Sequence, residues 1–345
     1  MRGRIKVKKT ALIFLVFVII LSFSLRAYSL MEPINSVDPV DVMIEIEKGM
    51  TGKEIANLLE KEGVIRSSTV FYLLLRIKEI DDLKSGYYSF STSQTPLDII
   101  DKMQKGKEEN FKITIPEGFT LEEILKRFNS LAVVEYDKSL LVKELEKNIK
   151  NIDIKREINF QKLKNPQISA VEGFIVPNTY HFPLSYTEED IAKNLISHFV
   201  EKRLPLLKKG AEKNNYSAYE ILIIASLIEE EAKLEEENKV VASVIYNRME
   251  KAMPLQLDAT VQYALEERKQ RVLYKDLEID SPYNTYQITQ LPPTPIASPG
   301  DIAVRAAVEP ADTEYLFYFA RKDGSHIFTK SYDQHLKKQR QLNNN

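Results

Sequence analysis

The residues with the most evident capacity for chemistry are Glu229, Glu230 and Glu231, three carboxylates in a row near the end of SAYEILIIASLIEEEAKL, Ser217–Leu234. A carboxyl partly withdrawn from water ionises less readily, so its pKa rises and it can deliver a proton near neutral pH. The stretch before the glutamates would supply that burial. From Ile221 to Ile228 every position except Ser226 is apolar, so the helix is greasy all round and must be covered from several sides. Its start is marked by Ser217 and Glu220, spaced as a capping box in which hydroxyl and carboxylate each satisfy a free backbone N–H. Ala225, Ser226 and Ala232 lie one turn from Glu229, and this small-residue stripe is expected to leave room for a ligand beside the carboxylate. The plainer reading is that all three glutamates form the solvated end of a core helix, as acidic runs usually do. Helical spacing does not choose among them.

Composition narrows the chemistry. With 345 residues, 43% of them hydrophobic and 28% charged, the chain is a folded protein long enough for two domains. A net charge of -2 implies no broad basic surface, so nucleic acid is a poor candidate partner. The lack of cysteine removes disulfides, thiol catalysis, cysteine-based zinc sites and a lipidated cysteine anchor. Histidines stand only at 181, 198, 326 and 335, with no HExxH and no close pair, which points away from a metal. No P-loop, dinucleotide or GxSxG pattern occurs, so no cofactor is expected and a serine hydrolase is not supported.

The N-terminus carries Arg2, Arg4, Lys6, Lys8 and Lys9, and Ala11–Leu25 is uncharged and almost wholly apolar. A basic flank before such a run places the N-terminus in the cytoplasm and the rest outside. The run is short for a span of about 20 residues, but Ala27, Tyr28 and Leu30, with Arg26 snorkelling, extend it. A retained anchor is preferred to a cleaved signal peptide, because Ala27–Ser29 is a poor cleavage site. Glu32–Pro39, polar and with two prolines, suits a short tether.

A self-similarity follows. Ile44, Ile46, Gly49, Thr51, Glu54 and Ile55 recur 69 positions later as Ile113, Ile115, Gly118, Thr120, Glu123 and Ile124. Each copy reads as a strand, a glycine turn, a capped start and an amphipathic helix. Between them the pattern predicts a helix over Ser68–Ile80, a strand over Gly86–Phe90 and a short helix over Thr95–Gln104, with Pro96 first and Gly106 as its stop. Leu131–Asn165 reads as one or two surface helices and a linker. Later come helices over Glu188–Lys202 and Val240–Met249, a third with Asp258 as its N-cap, a loop over Tyr283–Pro295, a helix over Ile302–Val308, and strands Tyr315–Arg321 and His326–Thr329. The loops are rich in Tyr, Asn, Gln and Thr, the side chains a carbohydrate groove uses: rings against sugar faces, amides and hydroxyls against hydroxyls.

ASLIEEEA at 225–232, NKVVASVIYNRM at 238–249, LQLDATVQY at 255–263, SPYNTYQITQLPPTPIASPG at 281–300 and EGFIVPNTY at 172–180 together resemble the endolytic murein transglycosylase family (MltG, YceG-like). The resemblance runs from about residue 10 to 340 and is weakest over 131–165. It implies an α+β protein: a cytoplasmic tail at 1–9, a transmembrane anchor at 10–30, a tether at 31–40, a LysM-like subdomain at 41–130, a variable helical linker at 131–165 and a mixed α/β catalytic domain at 166–345 built around the buried helix. It places the catalytic glutamate on Glu229. Implied too are peptidoglycan glycan strands as substrate, a single-pass place in the cell membrane with the catalytic domain outside, and wall-synthesis machinery as neighbours. The implied reaction cuts between N-acetylmuramic acid and N-acetylglucosamine within the strand and leaves a 1,6-anhydro end, with one carboxyl acting first as acid, then as base. Glu172, Gln256, Asp258, Asn284, Thr285 and Tyr286, in the matching blocks, are expected to line the groove or hold Glu229. Ala259, Asn178 and Gln290 stand where the family usually has Pro, Asp and Gly. Two other readings compete: a hydrolase pairing Glu229 with Glu172 or Asp258, and a membrane-anchored glycan-binding scaffold that cuts nothing.

Overall fold

The computed structural model describes residues 2–131, 136–154, 170–265 and 267–343, with side chains from residue 14 onward. The parts of the expected linker at 132–135 and 155–165 lie outside them. The chain divides into two compact units, one of residues 1–111 with 181–185, the other of residues 112–180 with 186–345.

The first unit begins with α1 (Arg2–Met31), whose segment Phe14–Met31 is long and apolar enough to cross a membrane. Strand β1 (Asp41–Ile46) then pairs antiparallel with β2 (Gly86–Ser91), Asp41 opposite Ser91 and Ile46 opposite Gly86. Three helices accompany this pair: α2 (Gly52–Lys61), α3 (Ser68–Ile77) and α4 (Pro96–Gln104). Alternation sends Ile44 and Ile46 from β1 and Tyr88 and Phe90 from β2 into one core with Ile55, Leu59, Phe71, Leu75, Ile99 and Met103, as period-two and period-3.6 patterns require. Full capping boxes begin α2 at Thr51 with Glu54 and α4 at Thr95 with Asp98. Helix α3 ends at Ile77, not Ile80, and Ile77 is exposed rather than core. The polar segment expected as a tether is bonded to this unit at its start and just past its end. Arg66 donates to the carbonyls of Glu32, Pro33 and Ile34, while Asn35 and Val40 exchange backbone bonds with Thr92.

Strand β3 (Asn110–Ile115) pairs with β4 (Asn178–Pro183), and the division between the units falls within both strands. The second copy of the repeat thus ends in α5 (Leu121–Asn129), capped by Thr120 and Glu123 as the first is by Thr51 and Glu54.

The second unit is mainly helical. Among its described residues, strand pairing is confined to two-stranded ribbons, so the content is mixed helix and strand as expected, with helices packed on helices around the buried one. Helix α6 (Lys138–Ile149) packs against α7 (Glu188–Lys202) through Leu141, Leu145 and Ile149, so it is more than a surface helix. Next come α8 (Leu204–Asn214) and α9 (Ala218–Glu231), the central helix, begun by the expected Ser217–Glu220 box. Every α9 residue from Ile221 to Ile228 is buried. The cover comes from α8, from α10 (Asn238–Glu250) and from α12 (Asp301–Val308), with α11 (Asp258–Ala264) beside it. Hairpin β5 (Phe317–Ala320) and β6 (His326–Thr329) with α13 (Tyr332–Asn343) completes the unit. β5 starts later than its aromatic pattern suggests, because the Asn247 amide takes the carbonyls of Thr313 and Tyr315 (2.8 and 2.9 Å).

Candidate functional site

The last turn of α9 sends its three glutamates in different directions, since successive helical side chains diverge by about 100°. Glu230 forms an ion pair with Arg268. Glu231 accepts the Tyr318 hydroxyl (2.9 Å). Glu229 Oε2 instead accepts a backbone N–H, that of Gly300 (2.9 Å). Gly300 is the N-cap of α12, so the Glu229 carboxyl lies at the partly positive end of that helix.

Two turns enclose Glu229. One is the glycine turn of the second repeat copy, where Gly118 has φ +73° and a Cβ would lie 3.2 Å from Glu230 Oε1 and 4.0 Å from Glu229 Oε1. The other is Ser298–Gly300. They are zipped together: Gly118 N–H donates to Ser298 O (2.9 Å) and Ser298 N–H to Phe119 O (2.8 Å). Glu117, exposed, lays its carboxylate against Gly300 so closely that a Cβ there would collide with it. Arg203, almost wholly buried, fixes the second turn from behind by donating to Asp301 (2.8 Å) and to Pro299 O (3.3 Å).

Burial is the main cause raising the pKa of Glu229. The Gly300 N–H opposes it, the negative charges of Glu117 and Glu230 add to it, and Arg203 opposes it more weakly. Burial likewise raises Glu230 against Arg268, and Glu231 against the Tyr318 hydroxyl. Such an arrangement favours the protonated form of Glu229 more than an exposed carboxyl would, and that is the form able to pass a proton to a neighbouring oxygen.

The small-residue stripe does not accommodate a ligand. Ala225 and Ser226 are fully buried; Ser226 Oγ donates to Ile223 O (2.7 Å) and accepts the N–H of Ile296 (3.1 Å), so the protein's own 294–300 loop fills that space. The open volume is elsewhere. A cavity of about 930 Å³ has Glu172, Glu230, Tyr263, Arg268, Lys126 and Tyr283 in its walls. Glu229 is not among them; its neighbour Glu230 is, and Gly118 adjoins both carboxylates.

The remaining expected residues fall into two groups. Glu172 is 1% exposed. Its Oε1 accepts the Leu121 N–H at the start of α5 (2.8 Å) and its Oε2 the Tyr263 hydroxyl (3.0 Å). Burial outweighs both bonds and pushes its pKa up to about 8. It therefore anchors α5 to α11 instead of bonding to Glu229. Gln256, Asp258, Asn284, Thr285 and Tyr286 form the second group, which joins the segment before α11 to the 281–288 loop. Asp258 is the first residue of α11, not its N-cap, a position taken by Leu257 without a side-chain bond; its carboxylate accepts the Tyr286 hydroxyl instead (2.6 Å). Burial, then that bond, raises the Tyr286 pKa. Asn284 and Thr285 are fully buried, not groove-facing. Asn284 donates to Leu277 O and Ile279 O (both 2.9 Å), and Thr285 Oγ1 accepts the Leu257 N–H (2.9 Å). Gln256 adopts φ +53° and donates its backbone N–H to Thr285 O (3.0 Å). This group approaches Glu231, whose carboxyl feels the Asp258 charge.

Glu117, Arg203, Tyr263 and Tyr318 were not singled out by sequence reasoning. A signal for Glu117 existed in the repeat: the second copy has Glu before its glycine where the first has Lys48. Nothing in the local pattern marks Arg203, which works across about a hundred positions of chain. His326 is paired with Glu237 (2.6 Å).

The YceG-like family matches residues 44–341. An endolytic murein transglycosylase of Bacillus subtilis (strain 168) is 36% identical over 318 residues, covering 90% of this chain and 87% of that protein. One of Streptococcus pneumoniae (strain ATCC BAA-255 / R6) is 29% identical over 340 residues; the alignment takes in 91% of this chain but 61% of that relative's length. Among solved structures, a yceG-like protein from Listeria monocytogenes is similar with a TM-score of 0.57 at 32% identity, over 87% of this chain and 99% of that one.

Proposed function

The chain belongs to the YceG-like family, and on that footing we propose that it is an endolytic murein transglycosylase held in the cell membrane by α1. Glu229 is the catalytic group. Protonated, it gives its proton to the oxygen of the bond between N-acetylmuramic acid and N-acetylglucosamine as the C1–O bond breaks. As a carboxylate, it then takes the proton of the muramic acid C6 hydroxyl while O6 bonds to C1. The proton account closes without water, and the product carries a 1,6-anhydro end. The carrying observation is that Glu229 sits half-buried where two turns meet, bonded by the Gly300 N–H, whereas Glu230 is engaged by the Arg268 side chain and Glu231 by the Tyr318 hydroxyl and the Ala259 backbone. The Gly300 N–H keeps the carboxyl oriented in both protonation states, and Arg203 positions Gly300.

A two-carboxylate hydrolase would need Glu172 or Asp258 beside Glu229. Both are engaged, Glu172 by Leu121 and Tyr263, Asp258 by Tyr286, which favours the single-carboxyl route. Glu172, Gln256, Asp258, Asn284, Thr285 and Tyr286 serve as supports that shape the surroundings of the α9 glutamates. The first repeat copy belongs to a LysM-like subdomain that holds glycan, the tail before α1 lies in the cytoplasm, and the catalytic domain works outside on strands near the wall-synthesis machinery. The test is mass spectrometry of glycan from purified sacculi treated with the protein or with Glu229→Gln. New anhydro ends from the wild type alone support the reading. Products heavier by one water indicate hydrolysis, and bound glycan with no new ends indicates a scaffold.

A further inference from the structure

Helix α3 is apolar on two sides. Phe71 and Leu75 enter the core of the first unit, while Tyr72, Leu73 and Ile77 point outward with 38%, 54% and 70% of their surface exposed. A single exposed leucine is ordinary, but three large apolar side chains within two turns form a stripe that calls for a partner. Arg76 lies in the same stripe, also exposed.

We propose that this face of α3 docks into the lipid surface beside the anchor, with Leu73 and Ile77 among the upper acyl chains, Tyr72 at headgroup level and Arg76 reaching the lipid phosphates. The proposal rests on the reading of α1 as a retained membrane span. Three observations select lipid as the occupant. First, α1 packs against α3, and among its described side chains only Ala27, Leu30 and Met31 are partly covered, all at its C-terminal end. A span over Phe14–Met31 is roughly 27 Å long at 1.5 Å per residue, close to the hydrocarbon thickness of about 30 Å, so that end lies at the outer interface and α3 lies with it. Second, the junction is fastened. Arg66, immediately before the Ser67 cap of α3, holds the carbonyls of Glu32, Pro33 and Ile34, and Asn35 donates to Thr92 O, which keeps α3 from swinging away from the end of the anchor. Third, the residue types suit the depth: a tyrosine for the interfacial belt and an arginine able to snorkel, beside branched aliphatics.

The sequence has no cysteine, so single substitutions give unique labels on the full chain in phosphatidylcholine–phosphatidylglycerol vesicles. An environment-sensitive fluorophore is attached at Leu73→Cys, Ile77→Cys, the exposed Lys53→Cys on α2, and Leu21→Cys within α1. Lipids bearing a quencher just below the headgroup should dim the probes at 73 and 77 about twofold, as for a helix buried in the interface, and leave the probe at 53 unchanged. Ile77→Glu should restore most of the lost signal at 73. Quenching at 21 with none at 73 or 77 overturns the docking and leaves the anchor standing. No quenching at 21 by lipids with a deep quencher removes the anchor reading and this inference with it. Probes at 73 and 77 protected from aqueous iodide but not quenched by lipid, with Ile77→Cys forming disulfide dimers as concentration rises, would assign the face to a second copy of the chain and overturn the proposal.

Discussion

Glu229, Glu230 and Glu231 are chemically identical and adjacent, yet each meets a different partner: a backbone N–H, a guanidinium and a phenol. What separates them is what each can do with a proton. Burial raises all three; the Arg268 guanidinium opposes it at Glu230 and the Tyr318 hydroxyl at Glu231, while at Glu229 the Gly300 N–H opposes it and the negative charge of the exposed Glu117 adds to it. Glu229→Gln should lower anhydro-end formation by about 10²–10⁴-fold, the usual worth of a general acid–base group, with the circular dichroism spectrum unchanged. In the proposed reaction the first step needs protonated Glu229, so activity should fall as pH rises through its raised pKa. Glu117→Gln removes a negative neighbour that disfavours the charged form, which lowers the Glu229 pKa and should move the high-pH limb of the rate profile to lower pH. A profile that does not move would mean that Glu117 exerts no field on the reacting proton. The triplet illustrates the reach of residue-level reading: burial of α9 and the presence of a protonatable carboxyl were legible from the apolar run, but the choice of glutamate was not, because partners such as Gly300, Arg268 and Tyr318 arrive from distant chain.

At the level of elements, local grammar was read well and tertiary cover poorly. Capping boxes at Thr51, Thr120 and Ser217 start their helices as spaced, because a cap needs only residues three apart. By contrast the small-residue stripe, whose spacing predicts ligand space, holds the 294–300 loop, and Asp258, placed by sequence as a cap, binds Tyr286. In both cases the deciding group comes from far along the chain. The polar side chains of the Tyr283–Pro295 loop suit a carbohydrate groove by type, yet Asn284 and Thr285 are buried, their polar groups satisfying backbone. Two predictions belong here. Gly300→Ala adds a methyl that can only displace the flexible end of Glu117; the Gly300 N–H is retained, so stability should change by no more than about 1 kcal/mol while the pH profile shifts in the direction of Glu117→Gln, and the two changes should not add. Glu172 concerns stability. Its folded pKa of about 8 lies above the ordinary carboxyl value of 4.5, so the unfolded chain ionises first and the fold loses stability as pH rises from about 4.5 to about 8, by a few kcal/mol at most at ~1.4 kcal/mol per unit. Urea melts at pH 5 and pH 8 should show that decline in the wild type and a flatter dependence in Glu172→Gln.

For the whole molecule, the basic tail and apolar α1 predict one crossing. In intact protoplasts an N-terminal tag should be shielded from added protease and a C-terminal tag cleaved; the reverse pattern would invert the proposed orientation. The twofold use of one strand–turn–helix pattern has its own consequence. The glycine turn at Gly49, φ +94°, has open space around the position of a Cβ, whereas the turn at Gly118 is wedged against Glu230 and Glu229. Twin stretches of chain have thus been given unequal freedom, one turn standing clear and the other pressed against the α9 glutamates. A few foreign residues spliced in at 48–50 ought to pass unnoticed by the enzyme, and the same graft at 117–119 ought to silence it.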